Sequence, residues 1–296
     1  MNYQHAFHAG NFADVHKHAV LTRILVRLRE KPAAFRVIDT HAGAGRYDLF
    51  STEASRGGEW QSGVKLVWAM RDTCAGDSST AVNGAAAGKS DAAVLLMPYL
   101  QAVGAFNPGG VLRVYPGSPR LALELLRTQD RLIACEMEPR AAAALKATLR
   151  GDARAKALAI DGWTALSAYV PPKERRGLIL IDPPFEDAGD FSRLTTAVAA
   201  AHRKWPTGIY LLWYPIKERA APDALARRLR KLAVPSILRS ELMLGAPRGG
   251  AGLVGSGLIV INPPYRLEAE LATLVPALGR IMAASACRLD WLAARP

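Results

Sequence analysis

Four short apolar runs in this chain end on an acidic residue, and that repeat constrains the fold more than any other feature. Residues 37–39, 132–136, 157–161 and 178–182 close on Asp39, Glu136, Asp161 and Asp182. Further apolar runs follow at 209–213, 237–244 and 258–262, with helix-like stretches at 139–149, 191–204 and 218–232 between runs. Alternation of this kind builds an α/β fold around a mainly parallel sheet. Within the runs apolar and polar residues do not alternate, as expected of parallel strands covered on both faces. A strand that closes on an acid sets a carboxylate at the carboxyl edge of the sheet, where open α/β folds bind ligands.

The spacing breaks once. After Gly45 the next strand-ending acid is Glu136, whereas a nucleotide-binding βαβ unit needs only about 20 residues there. The surplus, roughly 70 residues on that spacing, centres on 51–107 and is read as a helical insertion subdomain within a single domain spanning 1–296. Within it, Trp60, Val64, Val67 and Trp68 are spaced to face a core. Residues 75–91, rich in Ala, Gly and Ser, read as a mobile loop.

Two motifs carry the chemistry. The first is VIDTHAGAGRYDL, in which Gly43 and Gly45 allow positive φ and close approach of a ligand to the backbone. A dinucleotide fingerprint wants a third glycine where Asp48 stands. Asp39 beside the glycines suits a cationic ligand better than a pyrophosphate, and S-adenosylmethionine, with its sulfonium and ammonium groups, fits that description. The second is GLILIDPPFED. The exocyclic amine of adenine is a poor nucleophile because its lone pair is delocalised into the ring. The Asp182 carboxylate and the Pro183 carbonyl can both accept hydrogen bonds from that amine and aim its lone pair at a methyl group. The prolines fix the backbone, and Phe185 offers a ring face to an extruded base.

Asn262-Pro263-Pro264-Tyr265 has the same form but follows the last strand of the series, away from the expected switch point, and is read as structural. Glu136 is placed to accept both hydroxyls of a ribose, and Asp161 to accept from the cofactor's adenine amine, with Gly162 allowing close contact. Ser118, in YPGSP, is read as a helix N-cap that could also serve a ligand.

The N-terminal stretch is rich in histidine (His5, His8, His16 and His18) without the spacing of a zinc site, so no metal is expected. His side chains and Lys17 are read there as hydrogen-bonding and phosphate-contacting groups, with Tyr3 and Phe7 divided between base stacking and core packing. The chain carries 38 Lys+Arg against 26 Asp+Glu, a net charge of +12, which points to a polyanionic partner. Arg227, Arg228, Arg230 and Lys231 share one expected helix, with a solvated face and a phosphate-contacting face as competing readings. The first residues lack an apolar signal segment, no run is long enough to span a membrane, and the three cysteines are scattered. These features point to a soluble cytoplasmic protein, with a monomer expected.

Taken together, YQHAFHAGNFADVHKH, DTHAGAGRYDL, YPGSP, GLILIDPPF, TGIYLLWYPI and SGLIVINPP make the chain resemble the RlmJ family of 23S ribosomal RNA adenine-N6 methyltransferases. The resemblance implies a class I, Rossmann-like methyltransferase fold with a seven-stranded, mainly parallel sheet and a helical insertion. It implies S-adenosylmethionine as methyl donor and a specific adenine of 23S ribosomal RNA (adenine 2030) as acceptor. Carried over by position, cofactor contacts fall on His18, His41, Gly43, Gly45, Ser118, Glu136, Asp161, Gly162 and Asp182. Asp182 becomes the catalytic carboxylate, with Pro183 and Phe185, and Tyr3, His5 and Lys17 face the substrate RNA. The family's usual aromatic after the proline pair is Tyr; Phe185 keeps the ring and loses the hydroxyl.

Other readings compete with adenine-N6 transfer to RNA. A DNA adenine-N6 or protein glutamine methyltransferase would use the same DPPF chemistry. A nicotinamide-dependent oxidoreductase would use the glycine turn and strand acids. A non-catalytic RNA-binding protein would keep only the scaffold.

Overall fold

A computed structural model describes residues 4–71, 91–187, 189–245 and 252–294. The mobile-loop expectation for 75–91 falls outside them, except that Asp91 begins a helix. A single 3₁₀ turn, His5–Phe7, leads into α1 (Phe12–Arg29), whose N-cap Asn11 accepts from the Asp14 amide at 2.9 Å. Next come β1 (Arg36–Asp39), β2 (Arg46–Asp48), α2 (Thr52–Gly57), α3 (Val64–Trp68), α4 (Asp91–Gly104) and β3 (Val114–Pro116). The chain continues through α5 (Ser118–Leu125), β4 (Arg131–Cys135), α6 (Pro139–Thr148), β5 (Ala155–Leu158), α7 (Gly162–Ala168) and β6 (Gly177–Ile181). The last elements are α8 (Asp190–Lys204), β7 (Ile209–Ile216), α9 (Ala220–Arg230), β8 (Ile237–Met243), β9 (Gly255–Ile261), α10 (Leu267–Ile281) and β10 (Ala286–Ala293).

The large sheet has the order β10-β8-β9-β7-β6-β1-β4-β5. Strands β5, β4, β1, β6 and β7 run parallel, while β9 is antiparallel to β7 and β8, and β10 is antiparallel to β8. The expectation of seven strands is corrected to eight. The additional strand, β10, pairs along the outer edge of β8 and is tied there by the buried Arg239 guanidinium, which forks onto Asp290 at 2.8 and 2.7 Å. The patterning in the runs has a direct cause: Leu178 and Leu180 point into one apolar layer, shared with α1, α4, α5 and α10, while Ile179 and Ile181 point into the other, shared with α8 and α9. Both faces are covered, so every position of β6 is apolar.

Between β1 and β4 the chain leaves the sheet. β2 and β3 pair antiparallel as a small ribbon, and α2, α3 and α4 lie between them in sequence. Val64, Val67 and Trp68 of α3 are buried, as their spacing predicts, whereas Trp60 lies in a 3₁₀ turn before α3 and is only half-buried against the same core. From β1 the chain steps to β4 and β5 on one side and returns through β6 on the other. The β1/β6 boundary is therefore the topological switch point, where a crevice opens at the carboxyl edge.

Candidate active site at the switch point

Parallel pairing sets Asp39 opposite Leu180 of β6 and Ala134 of β4, so the acids that follow these strands gather at one edge. Asp39 is 1% exposed, and neither carboxylate oxygen makes a hydrogen bond of full geometry, although the Ser118 hydroxyl and the His41 amide lie close to it. Burial pushes its pKa up to about 7; the Ser118 hydroxyl opposes the rise, the charge of Asp182 adds to it, and Lys17 and the His41 amide oppose it. A buried, unpartnered carboxylate is costly, and a cationic ligand group would satisfy it.

Asp182 follows β6 directly and is held by the Lys17 ammonium. Lys17 reaches there from the first half of α1, where it also bridges Asp14 at 2.9 Å. Burial alone would lower the Lys17 pKa, but the Asp14 and Asp182 charges raise it. Asp14 is the hub of this cluster. It accepts from the Gly10 amide at 2.9 Å and pairs with His5 at 3.0 Å. Burial would raise its pKa, yet the charge of Lys17, with the His5 hydrogen bond, holds it well below the usual range. Lys17 is 4% exposed and tied to two carboxylates, so it positions Asp182 and is not free for phosphates.

His18 lies one turn beyond Asp14. Its Nδ1 pairs with the Tyr115 hydroxyl at 2.7 Å, while Nε2 is buried and unpartnered, 4.0 Å from Asp14. Burial drops its pKa to about 3, so the ring is neutral. Donation from the Tyr115 hydroxyl to Nδ1 would set the proton on Nε2, where it could be donated to a ligand. Two histidines expected near the pocket are structural instead. His16 bonds Ser256 and Ser240 at 3.1 and 2.9 Å within the core, and His8 pairs with Glu59 at 2.9 Å.

The glycine loop forms the floor. Gly43, at φ 58°, would set a Cβ 2.3 Å from the Tyr47 hydroxyl, and Gly45 has φ 75°. Glu136 is oriented by this loop: it accepts from the Gly43 amide at 2.9 Å and from Glu138 at 2.8 Å. His41 bonds Thr40 at 2.8 Å and meets the Trp163 edge, and burial lowers its pKa to about 4. Asp161 caps α7, accepting from the Thr164 amide at 2.9 Å, and Gly162 presses so close that a Cβ would lie 2.3 Å from the Thr40 carbonyl. Ser118 is corrected from N-cap to first residue of α5; Gly117 is the cap, and the buried Ser118 hydroxyl is near Asp39.

Phe185 takes a left-handed φ of 51° and is 9% exposed, packed on Phe191 and Trp213 with centroids at 4.7 and 5.8 Å. Its ring is therefore mostly committed to packing. Tyr3 lies outside the described residues. The second proline motif is excluded from the crevice by strand direction. Ile261 of the antiparallel β9 pairs with Tyr210 at the start of β7, so Asn262 sits at the opposite edge, where its amide donates to Pro206 and Gly208 at 2.7 Å.

Sequence reading passed over Asp14, Tyr115, Trp163 and Trp213. The Asp14–Lys17–His18 spacing of three and four residues was the available signal, since it puts all three on one face of α1. The orphaned Asp39 and His18 atoms, an acid and a donor, match the ammonium and carboxylate of a methionine moiety. Glu136 matches a ribose. The crevice thus fits S-adenosylmethionine. Among the described residues no helix is long and apolar enough to cross a membrane.

A sequence-family model described as Ribosomal RNA large subunit methyltransferase D, RlmJ, matches residues 32–293. The chain is 39% identical to a Ribosomal RNA large subunit methyltransferase J of Escherichia coli (strain K12), covering 94% of this chain and 92% of the relative. It is 35% identical to one of the same name from Haemophilus influenzae, covering 95% and 94%. A crystal structure of a protein from Legionella pneumophila superposes with a TM-score of 0.82 at 32% identity, over 96% of this chain and 97% of that one.

Proposed function

The chain belongs to the RlmJ family of ribosomal RNA large subunit methyltransferases, and from that premise we propose that it transfers a methyl group from S-adenosylmethionine to the N6 amine of one adenine in 23S ribosomal RNA. The observation that carries the site is Asp182, fixed by the buried Lys17 at the switch point beside the unpartnered Asp39. S-adenosylmethionine, when bound, supplies an electrophilic methyl group on a sulfonium.

Asp39 and Ser118 would hold its ammonium end, His18 Nε2 its carboxylate, Glu136 its ribose, and Asp161 with Gly162 and His41 its base. The Asp182 carboxylate and the Pro183 carbonyl accept hydrogen bonds from the target amine. This draws the nitrogen towards tetrahedral geometry and aims its lone pair across the crevice. Lys17 holds Asp182 in that pose. The reaction needs no proton removed before attack, because the amine already carries its lone pair. Phe185 walls the acceptor pocket, and the family resemblance assigns His5 and Tyr3 to the substrate RNA. One chain supplies every group named, so a monomer suffices.

Labelled cofactor is incubated with deproteinised ribosomal RNA, genomic DNA and ribosomal proteins. Label is expected in 23S RNA alone, as N6-methyladenosine at the adenine that the family resemblance implies. Label confined to DNA or protein would overturn the RNA reading. Asp182→Ala is expected to lose activity by about 10³-fold while cofactor binding persists. Unchanged transfer in that variant would remove Asp182 from its role.

A further inference from the structure

The basic helix singled out in the sequence is not at the catalytic crevice. α9 links the parallel strands β7 and β8, so it runs back against them and its last turn lies at the far edge of the sheet from Asp182. There Arg227, Arg228 and Arg230 end α9, beside the last turn of α8 with His202, Arg203 and Lys204. Between the two helix ends runs an open groove of about 590 Å³, lined by Thr195, Thr196, His202, Arg203, Lys231 and Val234.

Three observations set this groove apart from an ordinary solvated face. Arg203, Arg227, Arg228, Arg230 and Lys231 are exposed, and none has an ion-pair partner among the described residues. Nearby carboxylates are engaged elsewhere: Asp223 by Arg219, Glu268 by the Trp291 indole, and Asp290 by the Arg239 fork, with Arg230 acting on Asp290 only through its charge. Two helix C-termini supply only about one negative charge between them, fewer than these cations would need. His202 Nε2 is buried without a hydrogen-bond partner. At the same edge the NPPY turn, whose Asn262 backbone N–H donates to the Ser236 carbonyl, presents Tyr265 at 75% exposure, with the Arg266 guanidinium 5.6 Å from its ring centre. Unpaired cations, a groove and an exposed ring are what an RNA backbone and its bases engage.

We infer that this far edge is a second RNA-binding surface, which takes the phosphate backbone of 23S RNA segments distant from the methylated adenine. The inference rests on the RNA-methyltransferase reading and deepens it: the enzyme contacts its substrate at two opposite edges of the sheet. A long RNA reaches both edges, and a short hairpin carrying the target adenine reaches only the catalytic one.

The test compares native protein with an Arg203→Gln, Arg228→Gln, Arg230→Gln, Lys231→Gln variant and, separately, Tyr265→Ala. Affinity is measured for a long 23S fragment and for a short hairpin carrying the target adenine, with cofactor binding by calorimetry as the folding control. The fourfold variant is expected to bind the long fragment about 10-fold or more weakly, with the log–log salt slope smaller by about 2–3. Tyr265→Ala is expected to weaken the same complex by about 10-fold. Hairpin affinity and turnover stay within about twofold on the same phosphate-contact argument. Equal loss on both RNAs, or no loss on the long one, overturns the inference while leaving the enzyme reading intact. Failure of native protein to bind any RNA overturns the function reading itself.

Discussion

Asp39 carries the sharpest prediction at the scale of single residues. Its pKa in the folded protein, pushed up to about 7, lies above the ordinary carboxylate value of 3.8. The contribution of its protonated form to stability is therefore full below about pH 4 and is lost as pH rises through 7. Asp39→Asn stays neutral throughout, so it is expected to raise stability by up to about 4 kcal/mol at pH 8 and hardly at all at pH 4, read by thermal unfolding. A bound ammonium needs the ionised form. Native cofactor affinity is accordingly expected to tighten about 10-fold between pH 6 and pH 8, and Asp39→Asn to lose that dependence, read by calorimetry. A pH-independent native affinity would remove Asp39 from the ammonium site. The acids themselves were legible in the sequence, each closing its own strand. Lys17 was legible only as a cation; that it is locked between Asp14 and Asp182 depends on α1 crossing the sheet, which no local spacing encodes.

Elements decide how tightly the cofactor floor is built. The first turn of α7 presses on the segment that follows β1, with Gly162 against the Thr40 carbonyl and the His41 ring. Backbone there cannot swing aside as a flexible side chain can. Gly162→Ala is therefore expected to push α7 outward and weaken cofactor binding by about 10-fold while RNA affinity is retained, measured by calorimetry and filter binding. Unaltered cofactor affinity would show that the contact is slack. Strand and helix positions followed from patterning because β6 and its neighbours are buried on both faces. The edge strand β10 did not: its residues are half-exposed and mixed in character, and only the Arg239–Asp290 fork and the β8 register define it. Phe185 is packed more deeply than its sequence context showed, for a related reason. The left-handed turn after β6 folds the ring inward onto Phe191 and Trp213, whereas sequence showed only an aromatic after two prolines.

Across the whole molecule, the excess of 12 positive charges and the acids divide by location. The carboxylates of Asp39, Glu136, Asp161 and Asp182 gather at the carboxyl edge, where the proposed cofactor and amine would bind, while unpaired cations gather at the opposite edge. RNA binding is thus expected to weaken steeply between about 50 and 200 mM salt, and cofactor binding far less, measured as log Kd against log salt for each ligand. A salt-insensitive RNA complex would contradict a phosphate-driven interface. Sequence by itself determined the α/β class, the order of strand-ending acids and the two proline motifs, because burial on both faces and turn chemistry are local demands written residue by residue. Tertiary structure alone decided which edge receives the basic helix, and it supplied the reason the second proline motif lies away from the strand-ending acids. Strand direction settles both: β6 runs parallel to β1 and carries Asp182 to the switch point, while β9 runs against β7 and carries Asn262 to the other end.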